Sequence, residues 1–199
     1  MRTSGLVPVL LVSALAFSLA APGEVAAPPK IGATAPDFTL PPAAGGPPVA
    51  LKDLLAKAKA VVVIFDATRC PYAKGYKERV AAMGKEYGAK GVAFVTINSN
   101  KTEAPAEVAE DAAKNGFSFP VLKDEGNRVA DLYGATKTPE VYVLDPKGTL
   151  LYRGRIDETH DDPKNVKSPD LRNALEAILS GKPVPAAETK AFGCSIKRV

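Results

Sequence analysis

A run of five consecutive apolar residues, Val61 to Phe65, is the feature that most constrains the fold of this chain. A continuous run of branched side chains predicts a strand buried on both faces, as in sheets covered by helices on each side. Apolar residues then recur at intervals of three and four from Tyr72 to Tyr87, which indicates a long amphipathic helix ending at Gly88. A second buried strand is predicted at Val92 to Ile97. This order of strand, helix and strand predicts a right-handed parallel crossover.

In the second half of the chain the pattern predicts antiparallel rather than parallel strand pairing. Its predicted elements, in chain order, are a helix capped by Thr102 and closed by Gly116, an extended piece at Phe119 to Leu122, a short helix at Asn127 to Tyr133, strands at Val141 to Leu144 and Thr149 to Tyr152, and a helix capped by Ser168 with Pro169 at its first position. Asp145 to Gly148 has the residue order of a type I turn, so these two strands form a hairpin. The whole pattern predicts an α/β fold with a mixed sheet of four or five strands and helices on both faces.

The first twenty residues have the composition of a secretory signal peptide. A positive start at Met1-Arg2 precedes a small-residue and apolar stretch from Leu6 to Ala20, with Ser18-Leu19-Ala20 as the cleavage pattern. The apolar stretch is shorter than the roughly 20 residues that cross a bilayer, so we expect no membrane span in the mature protein. A retained N-terminal anchor is the alternative interpretation. The segments are therefore a signal peptide at 1–20, a Pro/Ala-rich lead at 21–30 and one domain at 31–199.

This organisation predicts an exported protein, periplasmic or extracellular, in a compartment where disulfides persist. The formal net charge is +4, and lysines alternate with acidic residues apart from the basic pair Lys197-Arg198. Charges of both signs mixed in this way are typical of an ordinary solvent-exposed surface, so we expect no nucleic acid partner.

Cys70 is one of only two cysteines, and it lies between the first buried strand and the long helix. Proline is favoured at the first helical position, so Pro71 makes Cys70 the residue that caps the helix. The partial positive charge at a helix N-terminus favours a thiolate over a thiol. Cys70 is therefore a candidate reactive cysteine, and the alternative is a buried, inert thiol.

Cys194 lies near the C-terminus, in the tail formed by residues 182–199. A disulfide with Cys70 would close a loop of well over a hundred residues, worth about 4–5 kcal/mol in the chain-entropy model. The pair could be structural, or Cys194 could resolve an oxidised Cys70. The sequence leaves both possibilities open.

Several segments resemble redoxin-type members of the thioredoxin superfamily, in the group of alkyl hydroperoxide reductase and thiol-specific antioxidant proteins. The similar segments are Ile31 to Leu40, Thr68 to Pro71, Gly91 to Asn98, Thr138 to Asp145 and Tyr152 to Asp157. The resemblance implies a thioredoxin-like fold and thiol redox chemistry without a cofactor. It also implies a cis peptide bond at Pro139, with Thr138 and Pro139 shaping a substrate groove opposite Cys70.

The chain departs from that family at two patterns. Thioredoxins carry C-x-x-C, but Ala67 stands three residues before Cys70. Peroxiredoxins carry P-x-x-x-T-x-x-C, but Val63 stands at the proline position and Thr68 lies one place late. Arg69 is a candidate substrate-binding residue, because a guanidinium near Cys70 would lower its pKa and could bind a peroxide oxygen. Arg153 and Arg155 could approach from the hairpin in the same way.

The single histidine, His160, is expected to lie in an exposed loop. A copper site built from the two thiols and this imidazole is an alternative, since thiolates select Cu(I). The cysteines lack the close spacing of thioredoxin-like copper chaperones, so we assign no metal ligand.

Three functions remain open. The first is an exported thiol-based redox protein, a thiol–disulfide oxidoreductase or antioxidant, that acts through Cys70 and is resolved either by Cys194 or by an external thiol. The second is a hydroperoxide reductase of the peroxiredoxin type. The third is a non-catalytic binding module in which Cys70 and Cys194 form a structural disulfide. The corresponding partners are a protein or small-molecule disulfide, or a hydroperoxide, together with a reductant that the sequence does not identify.

Overall fold

The computed structural model describes residues 25–199, so the predicted signal peptide and the first part of the lead lie outside the described residues. The strands and helices are, in chain order, β1 (Thr39–Leu40), β2 (Val49–Ala50), α1 (Leu51–Leu55), β3 (Ala60–Asp66), α2 (Pro71–Gly88), β4 (Val92–Asn98), α3 (Pro105–Lys114), β5 (Val121–Lys123), α4 (Arg128–Leu132), β6 (Lys137–Thr138), β7 (Glu140–Leu144), β8 (Leu150–Gly154), α5 (Asp170–Leu179) and β9 (Cys194–Ser195). Of these described helices, none combines the length and the apolar character that crossing a membrane requires.

A five-stranded sheet in the order β5-β4-β3-β7-β8 forms the centre of the fold. β3 pairs in parallel with β4, and β4 in parallel with β5. β7 pairs antiparallel with both β3 and β8, so Val63 lies between Val95 and Tyr142 in the register. The predicted mixed sheet, with a parallel half and an antiparallel hairpin, is confirmed.

The central strand β3 supplies side chains to both layers of the core. Val61, Val63 and Phe65 pack on one face with residues of α1 and α4, whereas Val62 and Ile64 pack on the other face with residues of α2 and α5. All five side chains are almost completely buried, which explains why the strand is apolar at every position rather than at alternate ones.

Three aromatic rings pack together where β7 lies against β3. The ring of Phe65 lies 5.6 Å from that of Tyr133 and 5.7 Å from that of Tyr142, and the two tyrosine rings meet edge to face at 5.1 Å. The Tyr142 hydroxyl donates to the carbonyl of Tyr133 and also contacts the carboxylate of Glu140. This cluster lies directly beside the loop that carries Pro139.

Two helix starts differ from the predictions. α3 begins at Pro105, after Ala104 as its cap residue, so Thr102 does not cap it. The chain between Thr102 and the helix turns inward to bury the side chain of Glu103 instead. α5 begins at Asp170, with Pro169 rather than Ser168 at the cap position, and the Ser168 hydroxyl donates to the Asp170 carboxylate.

We expect Phe65→Ala to lower the free energy of unfolding by about 3–5 kcal/mol, because it removes the ring that contacts both tyrosines and leaves a cavity. Urea denaturation followed by circular dichroism measures this change. Leu132→Ala, at an apolar side chain that is 49% exposed, is the control and should stay within about 0.5 kcal/mol of the wild type. A loss of less than 1 kcal/mol for Phe65→Ala would contradict the packing described above.

Candidate functional site

Cys70 occupies the cap position at the N-terminus of α2, as its place before Pro71 predicts. Its backbone is extended, and its sulfur accepts a hydrogen bond from the backbone N–H of Ala73 at 3.4 Å. The thiol also donates to the backbone carbonyl of Thr138 at 3.2 Å. Only 4% of the residue is exposed, so the sulfur is hydrogen-bonded on a buried surface.

The predicted cis bond between Thr138 and Pro139 is present, and it places this segment against Cys70. Both Thr138 and Pro139 are buried. The hydroxyl oxygen of Thr138 is also buried and has no hydrogen-bond partner among the described residues when Cys70 is a thiol. Such a hydroxyl is free to donate to the sulfur once Cys70 loses its proton.

Cys194 lies beside Cys70, although the two are far apart in sequence. The short strand β9 pairs antiparallel with β6, with Cys194 opposite Thr138 and Ser195 opposite Lys137. Cys194 packs against the small buried cluster of Cys70, Ala67 and Ala73. Both cysteines are free thiols in this structure. The structure therefore brings together the two residues whose pairing the sequence left open.

The segment that carries Cys194, residues 192–199, is held like a strap across this surface. The N–H of Ile196 donates to the carbonyl of Thr136 at 3.1 Å, and the Ile196 side chain is buried. The Lys197 N–H donates to the side-chain oxygen of Asn100 at 2.7 Å. The Arg198 guanidinium donates to Asp131 at 2.7 Å. These contacts hold Cys194 in position and cover Cys70, so the tail is an ordered part of the site.

The two thiols have opposite pKa shifts. Burial raises the pKa of Cys70, but hydrogen bonding from the side chains of Cys194 and Thr138 and from the Ala73 N–H outweighs it, so the pKa falls below its ordinary value. Burial and the neighbouring Cys70 sulfur raise the pKa of Cys194 to about 11, while Lys197 lowers it slightly. Cys70 is therefore the more acidic thiol of the pair, and Cys194 is the hydrogen-bond donor to its sulfur.

The structure also favours a different comparison with the C-x-x-C motif, in which Cys70 stands at the first cysteine of the motif rather than at the second. Position 67 precedes the helix, whereas position 73 lies in its first turn and supplies the N–H that binds the Cys70 sulfur. Cys70 thus corresponds to the first cysteine of a C-x-x-C spacing, and Ala73 stands where the second would be. Cys194 packs against the small cluster that contains both Cys70 and Ala73, so a second thiol lies at the cluster in which a cysteine at position 73 would stand.

Glu103 is a site residue that the sequence analysis missed. Its side chain is buried, and its carboxylate accepts hydrogen bonds from the backbone N–H groups of Thr68 and Arg69 at 3.0 and 2.9 Å. It also accepts from the Asn98 side chain at 2.6 Å. The carboxylate thereby fixes the loop immediately before Cys70. A lone acidic residue in a turn gives no sequence signal for such a role, because its partners are backbone groups of another segment.

The three arginines considered as cysteine partners bind carboxylates. The Arg69 guanidinium makes two hydrogen bonds of 2.6 Å to Glu107 of α3, on the surface. Arg153 pairs with Glu188, and Arg155 pairs with Asp170. None of these arginines is among the groups that shift the pKa of Cys70. A direct role of Arg69 in substrate binding stays a prediction.

His160 lies near the site, but its ring is packed rather than freely exposed. The imidazole stacks on the ring of Tyr72 at 4.3 Å, and its side chain is 28% exposed. Tyr72 in turn contacts the ring of Phe192 on the strap. Among residues 25–199, no group of three or more potential ligands is placed to hold a metal ion.

We expect Thr138→Val to raise the pKa of Cys70, because it removes a donor to the thiolate. A hydrogen bond to a charged group is worth about 1.5–3 kcal/mol, and one pKa unit corresponds to about 1.4 kcal/mol. The measurement is thiolate absorbance at 240 nm against pH, with alkylation and peptide mapping to assign the titration to Cys70. Thr96→Val is the matched control, since it removes another buried, unpartnered hydroxyl that does not influence Cys70. Equal titrations for the two variants would contradict this role of Thr138.

Glu103→Ala should lower the free energy of unfolding by about 1–3 kcal/mol, because it leaves two loop N–H groups without their acceptor. Glu107→Ala is the control, because it removes only a surface ion pair with Arg69 and should change stability by less than about 1 kcal/mol. Urea denaturation of both variants measures the difference. Equal losses would show that Glu103 does not hold the loop.

The comparisons with known proteins agree with this geometry. Residues 31–153 match the profile of the AhpC/TSA family. Thiol-disulfide oxidoreductase ResA of Halalkalibacterium halodurans is 27% identical over 106 residues, which are 53% of this chain and 58% of that protein. The chain thus spans less than two thirds of that relative's length.

Two solved structures extend the comparison. A hypothetical protein from Sinorhizobium meliloti 1021 is 34% identical with a TM-score of 0.79, covering 85% of this chain and 95% of that one. Peroxidoxin BcpB from Mycobacterium tuberculosis is 25% identical with a TM-score of 0.61, covering 76% and 97% respectively. With its thioredoxin-like fold and a family match over more than half of its length, this chain belongs to the AhpC/TSA family.

Proposed function

We propose that this protein is an exported thiol–disulfide oxidoreductase that acts through Cys70 and uses Cys194 as its resolving cysteine. The observation that carries the proposal is the contact between a stabilised thiolate at the start of α2 and a second thiol on the strap. A low-pKa cysteine with a resolving thiol beside it is the arrangement that thiol–disulfide exchange requires. The similarity to ResA supports the same chemistry.

In the proposed reaction, the Cys70 thiolate attacks one sulfur of a substrate disulfide and the other substrate sulfur leaves as a thiolate. Cys194 then loses its proton and attacks the Cys70 sulfur of the mixed disulfide. The second substrate sulfur leaves, and Cys70 and Cys194 are joined. The protein supplies two electrons in this cycle, and the substrate disulfide becomes two thiols.

Thr138 and Pro139 have a double role in this proposal. Thr138 stabilises the thiolate through its side chain, and its backbone is the strand edge that pairs with Cys194. A protein substrate that approaches Cys70 along this edge must take the place of the strap. We therefore infer that the strap moves away to admit a protein disulfide and returns to resolve the mixed disulfide.

Reduction of hydroperoxides is the second candidate, and the burial of Cys70 favours it. A cysteine residue that is 4% exposed is within reach of a small peroxide more readily than of a protein. The thiolate would attack the peroxide O–O bond, giving a sulfenic acid and an alcohol or water, and Cys194 would then condense with the sulfenic acid and release water. The similarity to peroxidoxin BcpB agrees with this candidate, whereas Ala67 and Val63 depart from the peroxiredoxin loop.

We expect Cys70→Ser to prevent the intramolecular disulfide and to slow the first attack on a small disulfide severalfold, because only the less acidic Cys194 thiol remains. Cys194→Ser should keep the first attack and accumulate the mixed disulfide at Cys70. The measurement is mass spectrometry of acid-quenched reactions between the reduced protein and 5,5′-dithiobis(2-nitrobenzoate). Ser195→Ala, on the exposed neighbour of Cys194, is the matched control and should behave as the wild type. Stopped-flow mixing with hydrogen peroxide tests the second candidate.

Three outcomes would redirect the proposal. Mixed disulfide forming first at Cys194 would show that Cys70 is not the nucleophile. A fast peroxide reaction with little disulfide exchange would favour the hydroperoxide reductase. A reduction potential below about −300 mV, as found for structural disulfides, would favour the binding module with a structural Cys70–Cys194 bond.

The proposal also includes export. It rests on the signal-like composition of residues 1–20 and on a pair of cysteines whose oxidised form is stable outside the cytosol.

A further inference from the structure

We propose that an incoming thiolate reduces the Cys70–Cys194 disulfide by attacking the sulfur of Cys194, with Cys70 as the leaving group. This inference rests on the proposed function, since it concerns the disulfide that the proposed reaction forms. It assigns to Cys194 a second task, as the sulfur through which electrons enter the protein.

Access is the first reason. Around the Cys70 sulfur lie Ala67, Ala73 and Thr138, each of which is at most 1% exposed. Cys194 packs against this cluster and is itself partly open to solvent, next to the exposed Ser195. The rate of exchange depends on which sulfur a thiolate can reach. An attacking thiolate must approach a sulfur from the side opposite the bond that breaks, and for Cys70 that approach passes through closely packed protein.

Charge is the second reason. Lys197 is exposed and lies close enough to Cys194 to lower its pKa, which shows that its positive field reaches the sulfur. The Lys137 ammonium donates to the Ser195 hydroxyl at 3.3 Å, one residue from Cys194. Two lysines therefore lie on the backbone segments that pair at Cys194, and their positive charge attracts an anionic thiolate to this part of the strap.

The third reason is the quality of the leaving group. Exchange is faster when the departing thiol has the lower pKa, and the site favours the thiolate of Cys70 through the Ala73 N–H and the Thr138 side chain. A thiolate leaving from Cys194 would lack those donors. The geometry that makes Cys70 a good nucleophile in the first half of the cycle thus makes it the better leaving group in the second half.

The step balances with a dithiol as the reductant. Its first thiolate forms a bond to the Cys194 sulfur, the bond between Cys194 and Cys70 breaks, and Cys70 leaves as a thiolate. The second thiol of the reductant then loses its proton and attacks the reductant's first sulfur, which is bonded to Cys194. Cys194 leaves and takes up that proton. The reductant becomes a disulfide, and the protein regains one thiolate and one thiol.

The test uses the full-length protein, oxidised with diamide and checked for the intramolecular disulfide by mass. A brief reaction with excess glutathione, a monothiol that cannot complete the second step, is quenched with acid and then with N-ethylmaleimide. We expect peptide mapping to find glutathione on Cys194 and the maleimide on Cys70, in at least tenfold excess over the reverse pattern. Lys197→Gln should slow the capture severalfold, whereas Lys190→Gln, an equal charge change at another exposed tail residue, should not.

Glutathione found mainly on Cys70 would overturn this inference and leave the proposed function intact. Failure of diamide to form the intramolecular disulfide would overturn both, since the substrate of this step would not exist. Equal rates of glutathione capture for Lys197→Gln and Lys190→Gln would show that the charge of Lys197 does not assist the attack. The cysteine that carries glutathione would then decide whether the attack occurs at Cys194.

Discussion

The pairing of Cys194 with Thr138 is the contact on which the site depends. It joins the C-terminal strap to the segment before the cis bond. It thereby places the Cys194 sulfur beside Cys70, whose own helix α2 contains no second cysteine. The same contact closes Cys70 off from solvent. The hydrogen bonding and the burial of the Cys70 sulfur therefore both depend on one short stretch of antiparallel backbone.

A buried polar network connects the strap to the loop that carries Cys70. Glu103 holds that loop and accepts from Asn98, and the Lys123 ammonium bridges the Asn98 side chain and the Asn100 carbonyl at 2.9 and 2.6 Å. The Asn100 side chain then accepts from the N–H of Lys197 on the strap. Buried polar groups are costly unless they are paired, so each member of this chain restricts the next. Movement of the strap would break one end of a network that also positions the nucleophile.

Much of the fold follows from local patterns. The apolar run Val61 to Phe65 predicted a strand covered on both faces, and each of its residues is indeed buried. Pro71 predicted the helix start that makes Cys70 a cap, because a proline at the first helical position sacrifices no hydrogen bond. The cis bond before Pro139 was implied by family resemblance and is present. The starts of α3 and α5 were predicted less well, because their prolines and neighbouring side chains make contacts that spacing does not reveal.

The parts of the site that could not be predicted all depend on distant segments. Nothing in the residues around Cys194 indicates pairing with a two-residue strand, since an isolated pair of strand residues has no periodicity to detect. Glu103 likewise acts on backbone groups, which are the same in every residue and leave no mark on the sequence. The assignment of the missing motif cysteine to position 73 also required the observed hydrogen bond to the Cys70 sulfur.

The sequence by itself determined that a cysteine lies at the N-terminus of a helix behind a buried strand, because strand burial, proline geometry and helix polarity are properties of short segments. Only the tertiary structure decided that Cys194 lies against Cys70, that Cys70 is the more deeply buried of the two, and that the two thiols have opposite pKa shifts. The reason is that such effects arise from the packing of groups far apart in the chain, and a few ångströms of backbone placement determine how each sulfur is hydrogen-bonded and how far each cysteine is buried.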